Sequence, residues 1–345
     1  MSQTSLPHQR PLTAGDVAQA RASIAPLQAA LDAMRTRLGH ECFTVAWMSD
    51  MHIHAPRPYD GNLGFYGDRV DCSFNFRLAL TELSALAPLP DLLLFGGDLV
   101  DGGCGGEAPA DEYAEFSRVL REALPPGLPT LAIAGNHDHG ISTTAAWHQT
   151  WQSVAPQPWP ASPDTDDYYF VRRAGKWRII GLDSREDQPL SNRQRAWLAD
   201  ELARDPITPA LVLIHRPMVT VGNWVDDIRL LDRATFDVLD SAPGVKAIWS
   251  GHTHLPRAWR YRGKKHVVLP SVAYGIPGPC GWAVGVFSRE RLEAVFIKRM
   301  SGQWFDGVAF KARHSKQAVQ RLPFRNYTAD PLYNPCLLPR ESGNR

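Results

Sequence analysis

The sequence predicts an α/β fold built on a mixed sheet. After Gly39, short apolar runs bounded by turn residues alternate with stretches of helical period, the pattern of strand–helix–strand units. From Arg257 onward, four further apolar runs follow one another with only tight turns between them, which adds antiparallel hairpins at one edge of that sheet.

In chain order, the first feature is an apolar stripe at Val17, Ala20, Ile24, Leu27, Leu31, Met34 and Leu38, the spacing of a helix face. Pro26 falls inside it. A proline in a helix interior costs ~3 kcal/mol, so the stripe is expected to kink or to restart as a second helix near Ala25. A stripe broken by proline makes a weak coiled coil, and packing on the protein's own body is favoured over a homo-oligomer contact. Buried strands are expected at Phe43 to Met48, Leu92 to Phe95, Thr130 to Ala134, Trp177 to Leu182, Leu211 to Ile214 and Val245 to Trp249. Helices are expected at Cys72 to Leu86, Asp111 to Leu124, Ser142 to Gln152, Ser191 to Arg204 and Leu230 to Leu239. The hairpin pieces are Arg257 to Tyr261, His266 to Val272, Trp282 to Phe287 and Leu292 to Lys298. From Met300 to Arg345 the periodicity fades and seven Lys/Arg face three Asp/Glu, so an irregular basic tail is expected. The chain thus divides into a helical N-terminal extension (1–41), a central domain (42–299) and a basic C-terminal extension (300–345).

Composition narrows the function classes. With 44% hydrophobic and 21% charged residues over 345 positions, the chain can bury a large core, which excludes disorder throughout. Lys+Arg at 37 nearly cancels Asp+Glu at 36, so no global field marks a nucleic acid as an obligate partner. No apolar run approaches the roughly 20 residues of a membrane span, and the polar start from Met1 to Arg10 lacks the apolar core of an export signal. Cys42, Cys72, Cys104, Cys280 and Cys336 include no C-x-x-C pair, which suits a reducing compartment and offers no disulfide framework. The expected location is cytoplasmic.

The chemistry collects where strands end. Asp50 and His52 follow the first run, Gly97-Asp98 the second and Gly135-Asn136-His137-Asp138 the third. His215 follows Ala210 to Ile214, and Gly251-His252-Thr253-His254 follows Val245 to Trp249. In open α/β sheets, ligands bind beyond the carboxyl ends of the strands, so these segments are expected to converge. Their donors are carboxylate, imidazole and one amide oxygen, without thiolate, a set that suits Mn, Fe, Co, Ni or Zn. Seven donors exceed the needs of one tetrahedral ion, and two divalent or mixed-valence transition metal ions sharing a carboxylate is the economical reading. Each segment alone is a weak signal; their order and placement carry the argument.

In those ordered blocks the chain resembles the calcineurin-like metallophosphoesterase superfamily, over about Phe43 to Lys298. The segments Tyr66 to Asp71, Gly97 to Asp101, Leu182-Asp183-Ser184, His215-Arg216-Pro217, Trp224-Val225-Asp226 and Leu269-Pro270-Ser271 are similar to its class III cyclic nucleotide phosphodiesterase and glycerophosphodiesterase branch. The resemblance implies an α/β sandwich with Asp50, His52, Asp98 and His254 on one metal and Asp98, Asn136, His215 and His252 on the other. Asp98 would bridge, and a carboxylate has the lone pairs to do so. His137 would act as the hydrogen-bond donor or general acid, and Asp101 and Asp138 would orient ligand imidazoles. Two departures stand out: Ile214 occupies the place of a first histidine before His215, and Asp101 stands where a tyrosinate ligand would give purple acid phosphatase chemistry.

Around the metals, His54 lies two residues after His52 and is a candidate substrate contact, with a surface histidine as the alternative. Arg57 offers a guanidinium for phosphate oxygens. Tyr66 and Trp224 could stack on a flat leaving group, or simply fill the core. The implied activity is hydrolysis of a small phosphodiester by metal-bound hydroxide; a phosphomonoesterase or nucleotide pyrophosphohydrolase would use the same ligands.

Overall fold

The computed structural model describes residues 11–54, 70–102, 110–138, 169–184, 189–218, 232–275, 280–300, 302–305, 310–313 and 318–326. Two helices, α1 (Ala14–Ser23) and α2 (Ala25–Leu38), lead into β1 (Phe43–Met48), α3 (Cys72–Ser84), β2 (Leu92–Phe95), α4 (Ala110–Ala123) and β3 (Thr130–Ala132). There follow β4 (Phe170–Ala174), β5 (Trp177–Leu182), α5 (Asn192–Arg204), β6 (Ala210–Ile214), α6 (Arg233–Ser241) and β7 (Val245–Ser250). The chain continues through β8 (Arg257–Tyr261), β9 (Lys264–Val268), β10 (Gly281–Phe287) and β11 (Leu292–Arg299). Four short strands come last: β12 (Gly302–Phe305), β13 (Phe310–Arg313), β14 (Val319–Arg321) and β15 (Arg325–Asn326).

The strands form two mixed sheets, ordered β14-β11-β10-β1-β2-β3 and β15-β8-β9-β7-β6-β5-β4, plus the small β12-β13 hairpin. Alternation along each strand decides which layer a side chain enters. On β1, Val45 and Trp47 enter the core between the sheets, where the Trp47 ring meets Trp249 of the other sheet edge-on at 5.7 Å. Ala46 and Met48 point the other way, onto Phe76 and Leu80 of α3 and Phe116 and Leu120 of α4. The outer face of the second sheet is covered likewise by Leu198 and Leu202 of α5 and Phe236 and Leu239 of α6. The result is a four-layer αββα sandwich, the layered solution for two sheets that each bury both faces.

The N-terminal stripe resolves into two helices at the proline. A Thr13–Asp16 capping box starts α1, and Pro26 sits in the first turn of α2, where its missing N–H has no intrahelical partner to lose. Ile24, Leu27, Leu31 and Met34 pack into the core beneath the first sheet, so the stripe serves the protein's own body. Buried Glu82 fastens this layer: it accepts from Ser23 Oγ at 3.0 Å, from Trp282 Nε1 at 2.7 Å and from Lys298 Nζ at 2.7 Å.

Three expectations change. The two hairpins do not share a sheet: β8-β9 joins β7, whereas β10 pairs with β1 in the other sheet. The C-terminal segment is not irregular throughout, because β14 extends the first sheet and β15 the second. Strand β4 was not foreseen; its adjacent Arg172 and Arg173 hide the alternation. The helix expected at Ser142 to Gln152 lies outside the described residues.

One buried histidine makes the fold sensitive to acid. His266 on β9 is 3% exposed and stacks on Phe236 with ring centroids 5.8 Å apart. Burial, helped by nearby Lys264, pushes its pKa down to about 4. An unfolded histidine titrates near ~6.5, so between these values the unfolded chain takes up a proton that the folded chain refuses. This contribution is complete above about pH 6.5 and is lost as the pH falls toward 4, about 3 kcal/mol in all. Denaturant unfolding at pH 4.5 and 7.5 is expected to show a smaller pH difference in His266→Leu than in the wild type. Equal differences would remove His266 from the acid limb.

Candidate metal centre

Strands β1, β2 and β3 run parallel, as do β6 and β7, so within each sheet the carboxyl ends point one way. The residues beyond those ends meet. His52 Nε2 and His254 Nε2 are 3.3 Å apart, and His254 Nε2 is 3.2 Å from Asp50 Oδ1. A second group gathers Asp98, His215 and His252. Asp98 Oδ2 lies 3.1 Å from His215 Nε2 and 3.8 Å from His52 Nε2, between the two groups. Asn136 sits in the loop whose neighbouring residue sends the His137 amide to Asp98 Oδ1 at 2.8 Å.

These loops lock together through their backbones. Asp50 N donates to Gly97 O at 2.9 Å, His52 N to Asp98 O at 3.0 Å, and Gly251 N to His215 O at 3.0 Å. Two glycines make the approach possible. Gly97 has φ +93°, and a Cβ there would stand 2.6 Å from Gly135 N; a Cβ on Gly135 would stand 2.1 Å from Asp98 Oδ1. The ligand residues themselves carry strain, since Asp50, His52, Asp98, His252 and His254 all have positive φ, between 44° and 67°. Left-handed backbone costs an ordinary L-residue roughly 1–2 kcal/mol. Arg262, at φ 44°, is the other such non-glycine described, and the Arg262-Gly263 hairpin turn accounts for it. Strain gathered at one place marks a site whose side-chain directions matter more than local stability.

Hydrogen bonds set the imidazoles. A carbonyl only accepts, so His215 Nδ1 donates to Gly96 O at 2.7 Å, which turns Nε2 toward Asp98. Asp101 lies 3.4 Å from His52 Nδ1 and 3.6 Å from His54 Nδ1. Its main-chain carbonyl accepts from His137 Nδ1 at 2.5 Å. The part expected of Asp138 is corrected: its carboxylate accepts from the amides of Gly135 at 2.8 Å and Leu99 at 3.1 Å and from Tyr113 Oη at 3.1 Å. It ties the second and third loops together rather than orienting an imidazole.

Electrostatically the centre asks for positive charge. Burial opposes ionisation of Asp98, yet His215, His137 and His52 hold its carboxyl well below the usual range. Asp50, equally desolvated, is held down by His254 and His215. His215 is pushed up to about 9: burial works against its charge, but Asp98 and Asp50 outweigh it. His252 is driven far down by burial, His215 and Arg216, and His254 falls through burial. Burial and the Asp98 charge push the Asp138 carboxyl up to about 6.

Side-chain atoms that a cation would satisfy are present. Asp50 Oδ2 and Asn136 Oδ1 are buried with no hydrogen-bond partner among the described residues. Buried polar atoms rarely stay unpaired. Oxygen and imidazole donors converging without thiolate fit transition-metal ions, and the donor set fits two of them through Asp98.

Of the expected substrate contacts, His54 is half-buried beside Asp101. Arg57, Tyr66 and Trp224 lie outside the described residues. Two neighbours were not foreseen in these roles. Buried Tyr274 stacks on His52 at 5.6 Å and meets His254 at 4.8 Å. Arg216 Nη1 lies 3.1 Å from His252 Nε2. A guanidinium only donates, so this nitrogen accepts, and a metal on it would displace the arginine. The Leu269-Pro270-Ser271 segment was a signal for Tyr274, because Ser271 Oγ donates to Asp50 O at 2.9 Å and accepts from Tyr274 N at 3.2 Å.

A two-sheet sandwich with a His/Asp/Asn centre at its strand ends defines a class of metal-binding α/β protein, and comparison with known proteins gives the family. The calcineurin-like phosphoesterase family model matches residues 43–256, and the chain belongs to that family. A probable cyclic nucleotide phosphodiesterase from Synechococcus is 33% identical over 171 residues, covering 48% of this chain and 58% of that protein. A probable glycerophosphodiester phosphodiesterase from Arcobacter nitrofigilis is 27% identical over 218 residues, covering 61% of this chain and 71% of that protein. Among solved structures, a dimetal phosphatase from Danio rerio superposes with TM-score 0.54 at 15% identity, covering 74% of this chain and 95% of that one. That likeness concerns the fold.

Proposed function

We propose that the chain is a dinuclear metal-dependent phosphohydrolase that cleaves a small phosphodiester. The observation that carries this reading is the Asp98 carboxylate between two groups of ligand-type side chains, 3.1 Å from His215 on one side and 3.8 Å from His52 on the other. The names of the two relatives, both diesterases, support the diester over the monoester. When bound, the ion pair supplies Lewis acidity at the phosphoryl oxygens and activates water for in-line attack. The chain's own residues do the rest. Asp50, His52, Asp98 and His254 hold one ion, and Asp98, Asn136, His215 and His252 the other. Asp101 keeps His52 turned toward the centre. His137, its Nδ1 proton committed to the Asp101 carbonyl, presents Nε2 to the leaving group. His54, Arg57, Tyr66 and Trp224 are the candidate contacts for the ester. The ions are drawn from Mn, Fe, Zn, Co and Ni, and the setting is cytoplasmic.

Charge argues for the diester as well. A monoester near neutral pH carries close to two negative charges and a diester one, and sites that favour dianions add cationic side chains beyond their metals. Here the arginines in or beside the motif segments are Arg57, Arg69 and Arg216. With metal-analysed protein at pH 7 to 8, kcat/KM is expected to be higher for bis(p-nitrophenyl) phosphate than for p-nitrophenyl phosphate. Arg57→Ala is expected to raise KM more than it lowers kcat. A clear monoester preference would overturn the diester assignment while leaving the two-metal site.

A further inference from the structure

Away from the metal centre, a cleft of about 670 Å³ opens between α1, α3 and α4. Its volume falls in the range of small-molecule sites, about 300–1,000 Å³. The cleft is separate from the centre. Asn75 and Tyr113, toward the N-terminal ends of α3 and α4, reach the metal-site loops through Ala273 O and Asp138. The cleft takes residues farther along the same helices, together with α1.

Its walls combine two chemistries. Leu12 and Val17 supply an apolar side, and Arg21, Arg77 and Arg118 bring three guanidiniums. The helix hydroxyls there do not compete as donors, because Thr81 and Ser84 donate to their own helix carbonyls at 2.8 and 2.6 Å. The guanidinium of Arg21 has no ion pair or hydrogen bond among the described residues. Arg77, with its side chain 9% exposed, is fixed on buried Glu115 at 3.4 Å. Arg118 forks onto Glu115 at 2.8 and 2.7 Å.

The remaining partner is Glu122, and it is held differently. Its side chain is 51% exposed, 2.7 Å from Arg118 and 3.9 Å from Arg77. Exposed ion pairs contribute little and exchange readily with solvent. With Glu122 turned outward, three guanidiniums face one buried carboxylate among the described residues, an excess of two positive charges there. That excess, beside an apolar wall, matches a molecule with a dianionic head group and a hydrophobic body. Planar guanidinium forks suit phosphate-type oxygens, which they bind in pairs.

We propose that this cleft is a second ligand site, taking a small organic molecule with a doubly charged phosphate-type head group, and that Glu122 gives up its arginines to that head group. The site requires no turnover to be detected, so its test is independent of the phosphodiesterase reading.

The test is calorimetric titration of the full-length protein at pH 8 with benzylphosphonate, a dianion that is not an ester. Arg21→Glu is expected to weaken one binding phase at least about tenfold, because a cation facing the head group becomes an anion. Glu122→Gln is expected to tighten the same phase, since the competing carboxylate is gone, and benzoate, with one charge, should bind that phase less tightly than benzylphosphonate. Far-UV circular dichroism checks that both variants are folded; both changes are at exposed positions. Titrations of the two variants that match the wild type would mean that benzylphosphonate binds only at the metal centre, and would overturn the proposal. Weaker binding in Glu122→Gln would overturn the exchange.

Discussion

Asp98→Ala is expected to bind neither metal tightly and to lose at least about 10³-fold in kcat/KM, well beyond the 10–100-fold typical of residues that only orient a ligand. Asp98 Oδ2 lies within 4 Å of imidazoles from both donor groups, 3.1 Å from His215 and 3.8 Å from His52. In the proposed centre, removing it would leave three side chains for each ion and take away one of the negative charges that draw cations into a buried place. Asp98 also shapes the loops, since its Oδ1 accepts from the His137 amide at 2.8 Å. Asp98→Asn therefore serves as the companion variant: it keeps the size and much of the hydrogen bonding while losing the charge. Both are expected to fall short of two ions per chain by metal analysis. Two ions per chain in either variant would remove the bridge from the argument.

The candidate centre was largely legible because each donor follows an apolar run directly. A run such as Leu92 to Phe95 reads as a strand by composition alone, and Gly97-Asp98 then has to lie at its carboxyl end. Gly135 opens the tetrapeptide that the sequence singles out, and the structure adds the reason for a glycine there, since a Cβ would strike Asp98. The partition of strands between two sheets was not legible. Whether β10 pairs with β9 or with β1 depends on pairing across more than two hundred residues, and the local pattern of Gly281–Phe287 is equally apolar either way. The tail strands escaped for another reason: β14 and β15 are three and two residues long, too short to show a period. Residue roles set by packing also stayed hidden. A buried Tyr274 in sequence looks like any core aromatic, and only the fold lays its ring against His52 and His254. Asp138 shows the converse, a carboxylate in a ligand-rich tetrapeptide whose bonds go to amides and a phenol.

His137→Ala is expected to keep both metals and to lose about 10²–10⁴-fold in turnover, the usual contribution of a general acid or base. Three features of the structure separate His137 from the ligands around it. Its side chain is 24% exposed, whereas those of His52 and His215 are 3% and 0% exposed. Its Nδ1 donates to the Asp101 carbonyl at 2.5 Å, which fixes the ring and makes Nε2 the nitrogen that would serve the proposed proton transfer. Its ring stands edge-on to His52 at 4.6 Å, which places it beside the proposed centre. A residue that gives its proton to the departing oxygen matters most for poor leaving groups. The loss in His137→Ala should therefore be larger for an alkyl diester than for bis(p-nitrophenyl) phosphate, whose p-nitrophenolate departs without help. Loss of metal together with activity would make His137 a ligand, a role that its approach to His52 and Asp101 also allows. Equal losses for both esters would assign it to binding the phosphoryl oxygen instead.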